Sequence, residues 1–292
     1  LNRIILKRGI LAPNCFWYKI SDLLNVGSGV ELYNDLKISE GDFPLSYQYD
    51  EPVYIVTNVN YIKIILDNSP DTFGPGKLKQ QFFSSFMSKN VGISYGCPWK
   101  KRRHMNDIAL HTDNLHKYHN VYNQYTNKYI ISWKHKEVLD FTDFTNLGKY
   151  MTSHIVFGRD IDDDVFNMFK EANSTDALTD PNFKINPLIY NNYLRELNYS
   201  IDNPNSKTLI GLCLSVSNDR DEIINQIPHF IFPMVGLYMT SIPRILVLLC
   251  NHKDKLQKVI EEINSRDSSP DKLIYTRKCI LESLRLINPL VT

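Results

Sequence analysis

Trp99 and Arg103 are four residues apart, so on a helix they share a face. Two readings of that pair stay open. In one it is a cation–π contact on a solvated helix, with Lys100, Lys101 and Arg102 pointing into water. In the other, an indole N–H and a guanidinium aim together at one carboxylate, which arginine holds through two parallel hydrogen bonds. Glu282 and Arg285 are i and i+3 on a second helical pattern and read first as a surface pair. Because Leu281, Leu284, Leu286 and Ile287 surround them, a buried pair that needs further partners is the alternative.

Metal-type ligands are present without assembling. His116 and His119 lie three apart on a polar, Tyr-rich helical stretch from Asn114 to Lys134, but no third ligand at helical spacing accompanies them, so zinc is not expected. Asp160, Asp162, Asp164 and Glu171 imitate positions 1, 3, 5 and 12 of a calcium loop, yet Val165 stands where the sharp turn needs glycine. A solvated acidic connection is expected there. The cysteines, at 15, 97, 213, 250 and 279, form no CxxC pair. Such an odd, unclustered set reads as reduced, mostly buried thiols of a cytosolic setting.

The element that must position these groups runs from Asp221 to Asn264. Between Ile223 and Cys250 its only permanently charged residue is Arg244, and a helix apolar on every side is a buried spine or a membrane span. Pro228, Pro233, Pro243, His229 and Arg244 favour the spine. Prolines free carbonyls that lipid cannot satisfy, and an arginine costs roughly 2.5–3.5 kcal/mol at the bilayer centre. After Cys250 the pattern becomes amphipathic, with Leu256, Val259, Ile260 and Ile263 on one face.

Around the spine the other elements follow in order. A helix is expected over Ser28 to Ser39, then strands Phe43 to Tyr49 and Pro52 to Val56. Thr57 or Asn58 caps a helix with Ile62, Ile65 and Leu66 inward, which ends near Ser69-Pro70. Gly74-Pro75-Gly76 marks a loop, and Phe82, Phe83, Phe86 and Met87 then cluster as core or as the lining of an apolar site. A strand over Glu137 to Asp140 leads into a helix from Phe141 to Phe157 capped by Gly158. Residues 173 to 207 read as loops and short helices with one amphipathic piece at Leu188 to Leu197, followed by an apolar turn at Leu209 to Val216. A last helix spans Leu273 to Leu286 and stops before Pro289.

The 292 residues allow one large domain or two ordinary ones, and a net charge of +1 gives no reason to expect nucleic acid or an anionic membrane as partner. The first twenty residues hold no continuous apolar segment of signal length. The chain opens on Leu rather than Met, so an anchor preceding Leu1 stays open.

Three of these pieces together resemble the cytochrome P450 family. Trp99-Lys-Lys-Arg-Arg103 looks like the WxxxR pattern of its helix C, Glu282-Ser-Leu-Arg285 followed by Asn288-Pro289 like the ExxR motif of helix K, and the spine like helix I. YIKIILDNSPDTF, VGISYG and IVFGRDI match helix B, the lead into helix C and the end of helix E in order, over about Leu32 to Thr292. The resemblance implies a mainly α fold with a small β-sheet, a helical prism formed as one incomplete domain over 1–292. Its expected parts are a lead-in at 1–27, then 28–76, 77–172, a variable cover at 173–220, the long central helix at 221–264, and helix K with its exit at 271–292. It further implies a heme cofactor, oxygen insertion into an apolar small molecule, a redox partner, and a cytoplasmic or membrane-peripheral location.

By position, the resemblance gives Trp99 and Arg103 to the heme propionates and Glu282 and Arg285 to a structural charge pair. It gives Phe82, Phe83, Phe86 and Met87 to the substrate pocket, Gly236 to the oxygen groove and Thr240 to oxygen and proton delivery. Departures accompany it. No acid stands beside Thr240, and Pro243 cannot donate to the carbonyl of Met239, so a local opening of the helix is expected there. The Phe-x-x-Gly-x-Arg-x-Cys loop that supplies the family's iron thiolate occurs nowhere in the sequence. The implied protein is thus a monooxygenase whose C-terminal heme-binding part is absent, with no metal ligand in this chain. The alternatives are an inactive apolar-ligand-binding or interaction protein on the same fold, and a helical membrane protein.

Overall fold

The computed structural model describes residues 4–7, 15–18, 45–48, 52–56, 58–172, 183–265 and 270–286. The chain divides into two compact units, Leu1–Phe73 with Asn288–Thr292, and Gly74–Ile287. The division falls at the edge of the Gly74-Pro75-Gly76 loop, and each unit is taken by itself. The helix expected over Ser28 to Ser39 and the exit at Asn288-Pro289 lie outside the described residues.

In the first unit, β1 (Ile4–Lys7), β2 (Cys15–Tyr18), β3 (Leu45–Gln48) and β4 (Pro52–Ile55) form an antiparallel sheet in the order β2-β1-β3-β4. β3 and β4 are the two strands expected from the sequence, and they pair with Ser46 opposite Tyr54. β1 and β2 lie in the supposed lead-in. Their IILK and CFWY runs carry the branched and aromatic residues that suit a pleated strand. α1 (Val59–Asp67) starts where Asn58 Oδ1 accepts from the amides of Asn60 (2.8 Å) and Tyr61 (3.4 Å). Its expected inward face is not buried: Ile62 is exposed and Leu66 is 66% exposed. Val59, Ile62, Ile65 and Leu66 do share one face of about 120°, with only Ile64 off it, but among the described residues nothing covers that face.

The second unit is helical. In chain order it holds α2 (Lys77–Met87), a 3-10 turn (Val91–Ile93), α3 (Gly96–Ala109), α4 (Leu115–Trp133), α5 (Phe141–Val156) and α6 (Asp164–Ala172). α7 (Pro187–Asp202), α8 (Leu209–Leu214), α9 (Arg220–Asn251), α10 (Lys253–Ile263) and α11 (Ile274–Leu286) complete it. α5 begins in a capping box, Asp140 accepting from Thr142 and Asp143 N–H while the Asp143 carboxylate accepts from Asp140 N–H at 3.1 Å. The strand expected over Glu137 to Asp140 is instead the extended lead into that cap. Gly158 follows with φ +75°, and a Cβ there would stand 2.8 Å from Thr208 Cγ2, so both conformation and space require glycine. α7, capped by Asn186 with Pro187 in its first turn, is longer than the amphipathic piece expected.

The core lies where the first half of α9 packs on α5. Ile223, Ile227 and Ile231, at i, i+4 and i+8 of α9, are fully buried, as are Met151 and Val156 of α5. Val165 and Met168 of α6 and Tyr193 and Leu197 of α7 extend the same cluster. Each such side chain contributes about 1.5–3 kcal/mol by leaving water. The second half of α9 differs, for Leu246 and Val247 are exposed, the latter at 59%. α9 is the only helix among the described residues long and apolar enough to cross a membrane.

The spine expected over Asp221 to Asn264 is two helices, broken at His252 (φ −117°, ψ 73°). On α10 only Val259 is buried, while Ile260 and Ile263 of the expected face are exposed. α9 runs helical through all three prolines, so the opening expected at Met239 is not seen. Instead the Thr240 hydroxyl donates to the Gly236 carbonyl at 2.7 Å.

Candidate functional site

α3 presents two neighbouring faces. Helical geometry turns about 100° per residue, which puts Trp99, Arg103 and Asp107 in one stripe and Arg102, Met105, Asn106 and Ala109 in another. On the first, Trp99 is half-buried and Arg103, 56% exposed, pairs with Asp107 at 2.8 Å. On the second, Met105, Asn106 and Ala109 are buried and Arg102 goes in with them. Arg102 does not point into water as expected. It grips Glu222 of α9 through Nε (2.8 Å) and Nη2 (3.0 Å), donates to Ser94 Oγ (2.6 Å), and leaves the two charged side chains only 12% and 13% exposed.

Beside this clamp lies a buried amide knot. Gln226 of α9, fully buried, accepts from Val91 N–H (2.9 Å) and Asn106 Nδ2 (3.3 Å) and donates to the Lys89 carbonyl (2.7 Å). Asn90 Nδ2 donates to the Asn225 carbonyl (3.0 Å), and Asn225 Oδ1 accepts from Lys89 N–H (2.9 Å). Lys89 also pairs with Asp221, which raises its amine above the ordinary lysine range. The 89–94 segment and α3 are thereby fixed on the first two turns of α9.

Past the knot, His229, Gly236 and Thr240 follow at i, i+7 and i+11, one stripe of α9. His229 is half-buried, and burial, then Lys79, then Arg103 hold its imidazole below the usual histidine range. A Cβ added at Gly236 would meet nothing within 4 Å, so this part of the stripe borders open space. Phe86 and Met87 are buried, and Phe83 packs edge-on to Phe86 (6.0 Å) and to Phe232 of α9 (6.3 Å). The side chain of Phe82 lies outside the described residues. A cleft of about 340 Å³ opens between α2, α7 and α9, lined by Ser84, Phe86, Tyr190, Asn198, Asp221 and Asn225.

The remaining candidates disperse. Glu282 and Arg285 form a bidentate pair at 2.7 Å on the exposed side of α11, at 55% and 66% exposure, so the buried alternative is not what forms. His116 and His119 are exposed, the latter bonded to Asn123 at 2.9 Å. Asp164 begins α6 and accepts from Asn167 (3.1 Å) and Asn192 (2.9 Å), so the acidic run is a helix start and not a calcium loop. No group of three metal-type ligands converges among the described residues. Of the cysteines, Cys213 is buried, with its thiol pushed up to about 12 by desolvation, but Cys97 and Cys250 are exposed and Cys279 is half-buried, contrary to the mostly buried set expected. Arg102–Glu222 and the Lys79–His229 approach were missed; the buried spacing 102, 105, 106, 109 was the available signal for the first.

No family model matches the sequence, and no curated protein matches it. Among solved structures the chain is similar to a cyanobacterial cytochrome P450, CYP120A1, determined with retinoic acid bound, at a TM-score of 0.72 and 14% identity over 87% of this chain. The chain spans 64% of the length of that protein. At such identity the likeness establishes the fold, which is mainly α and cytochrome P450-like.

Proposed function

We propose that this chain carries the distal wall of a heme-thiolate monooxygenase acting on an apolar small molecule, with an electron donor as its partner. The observation that supports the reading best is the open space at Gly236, on the central helix of a cytochrome P450-like fold. The residues present suit the cofactor on two sides. Gly236 leaves open space on the central helix, and Trp99 and Arg103, the latter now paired with Asp107, would offer an indole N–H and a guanidinium to the cofactor's carboxylates. Heme would supply oxygen activation, and it needs a cysteine thiolate on the iron. No cysteine of this sequence stands in a Phe-x-x-Gly-x-Arg-x-Cys run, so the proposal includes a thiolate from outside Leu1–Thr292.

In this reading the chain's own groups bind, orient and exclude water. Phe83, Phe86 and Met87 back the site with apolar surface, and Thr240 holds a hydroxyl proton one turn from Gly236, bonded to its carbonyl. No acid on α9 accompanies Thr240, so proton supply falls to water. Lys100 and Lys101, both exposed on α3, give an acidic electron donor a positive landing face.

The test is heme uptake by the purified chain, followed by a carbon-monoxide difference spectrum with and without the coding sequence that follows Thr292. Stoichiometric uptake, and a thiolate-type band only when a Gly- and Arg-flanked cysteine is supplied, is the expected result. Protein that stays colourless with hemin overturns the reading. Uptake with no such cysteine in the longer frame leaves the second reading, an apolar-ligand binder without catalysis, which the absence of an acid beside Thr240 favours.

A further inference from the structure

We infer that Tyr125 and His154 form a redox-active phenol–imidazole pair, to which the rings of Trp133, Tyr129 and Tyr150 deliver oxidising equivalents from an organic peroxyl radical. The backbone sets the proton path. His154 Nδ1 lies 3.1 Å from the Tyr150 carbonyl, which can only accept, so Nδ1 carries the ring proton and Nε2 is left as an acceptor. Nε2 is bonded to the Tyr125 hydroxyl, and the phenol therefore donates to a base. The Asp160 carboxylate stands 3.8 Å from the same Nε2, beside the imidazolium that proton transfer creates. A phenol that loses an electron becomes a strong acid, so its oxidation is easiest where a base within hydrogen-bond reach takes the proton at once.

The same cluster supplies the electron path. Tyr125, Tyr129 and Trp133 recur every fourth residue along α4, and Tyr150 and His154 do so on the facing stretch of α5. Ring centroids run 6.0 Å from Trp133 to Tyr129, 5.7 Å from there to Tyr150 and 5.4 Å on to Tyr125, whose ring lies 4.2 Å from that of His154. Trp133 is half-buried at the end of α4, and its other ring neighbour, Phe144 at 5.2 Å, is too hard to oxidise, so the ladder begins at the indole. The Lys128 ammonium, 4.9 Å from the Tyr150 ring centre, disfavours a positive charge on that rung, which leaves Tyr125 as the place where the oxidation settles. Tyr118 and Tyr193 do not compete, for both are buried with hydroxyls that have no hydrogen-bond partner. In the full step the peroxyl radical takes an electron from Trp133 and, through water, its indole proton, ending as a hydroperoxide. The indolyl radical then draws an electron from Tyr125 through the rings and recovers a proton from water, while the phenol proton passes to His154. No heme or iron ligand takes part, so the pair stands apart from the monooxygenase reading.

Pulse radiolysis of the purified chain, with a halogenated alkylperoxyl radical as the oxidant, reads both halves of the step, because indolyl and phenoxyl radicals absorb at different wavelengths. The expected result is an indolyl signal that turns into a phenoxyl signal at a rate independent of protein concentration and slower in deuterium oxide. Trp133→Phe should abolish that conversion, and Tyr125→Phe should remove most of the phenoxyl yield. His154→Gln should slow the conversion about tenfold or more by taking away the base. Circular dichroism checks that each variant is folded, and the concentration and deuterium measurements are made on the wild-type chain, so they decide even where a variant fails to fold. A rate that rises with protein concentration or is the same in deuterium oxide overturns the pair. So does a conversion left undiminished by Trp133→Phe, Tyr125→Phe or His154→Gln in a folded variant.

Discussion

Arg102 and Arg103 are adjacent in the chain and opposite in environment. Arg102 and Glu222 face each other with about seven-eighths of each side chain withdrawn from water. Removing one partner strands the other charge in that setting. Arg102→Ala should therefore cost about 3 kcal/mol, the lower end of the range for breaking a buried pair, read as a lower guanidinium midpoint with an unchanged slope. Arg103→Ala removes an exposed pair with Asp107 and should leave the midpoint where it was. Under the proposed function its effect falls on heme uptake, so the two variants would separate the structural arginine from one that meets the cofactor. Equal destabilisation by both would contradict this assignment.

At the scale of elements, local capping and long-range packing hold different helices. α5 carries its own start, the reciprocal bonds of Asp140 and Asp143, and the nearby Lys136 ammonium holds the Asp143 carboxyl below the usual range. Asp140→Ala should cost about 1 kcal/mol, visible in thermal unfolding, and Asp140→Asn should recover most of it. α8 is held by its surroundings: a Cβ on Gly211 would fall 1.9 Å from the Asn205 carbonyl oxygen, deep inside backbone. α9 combines the two. Asp219 caps it, Asp221 and Glu222 sit favourably at the positive end of its dipole, and the amide knot pins its first turns. Its three prolines are tolerated because the neighbouring bonds and packing keep the rest of the helix in place.

For the molecule as a whole, Cys213 reports on the integrity of the helical unit. It belongs to the core cluster, and desolvation keeps its thiol protonated far above neutral pH. Under native conditions at mildly alkaline pH, iodoacetamide should modify Cys97 and Cys250 first, with Cys213 reacting only at denaturant concentrations that unfold the unit. Early labelling of Cys213 would mean that the core opens locally, which mass spectrometry of the labelled peptides would reveal. Much of this organisation was legible beforehand. The Asn58 and Gly158 caps, the β3–β4 pair, α4, α5 and α11, and the proline-bearing central helix all follow from signals carried by a few neighbouring residues. So did the spacing of Trp99 with Arg103 and of Glu282 with Arg285. What the sequence could not rank was burial. Whether Arg102 or Arg103 turns inward, whether Glu282 and Arg285 are covered, and whether the α1 and α10 faces are packed depends on which distant surface arrives opposite. The same limit hid the approach of Lys79 and His229, residues 150 apart in the chain that only the folding of α2 and the 89–94 segment onto α9 brings to one gap. Short-range signals determined several of the helices and some of their ends, though not the break at His252 or the helix begun by Asp164; the tertiary structure decided which side of each helix meets solvent, because that choice is made by long-range packing and charge pairing.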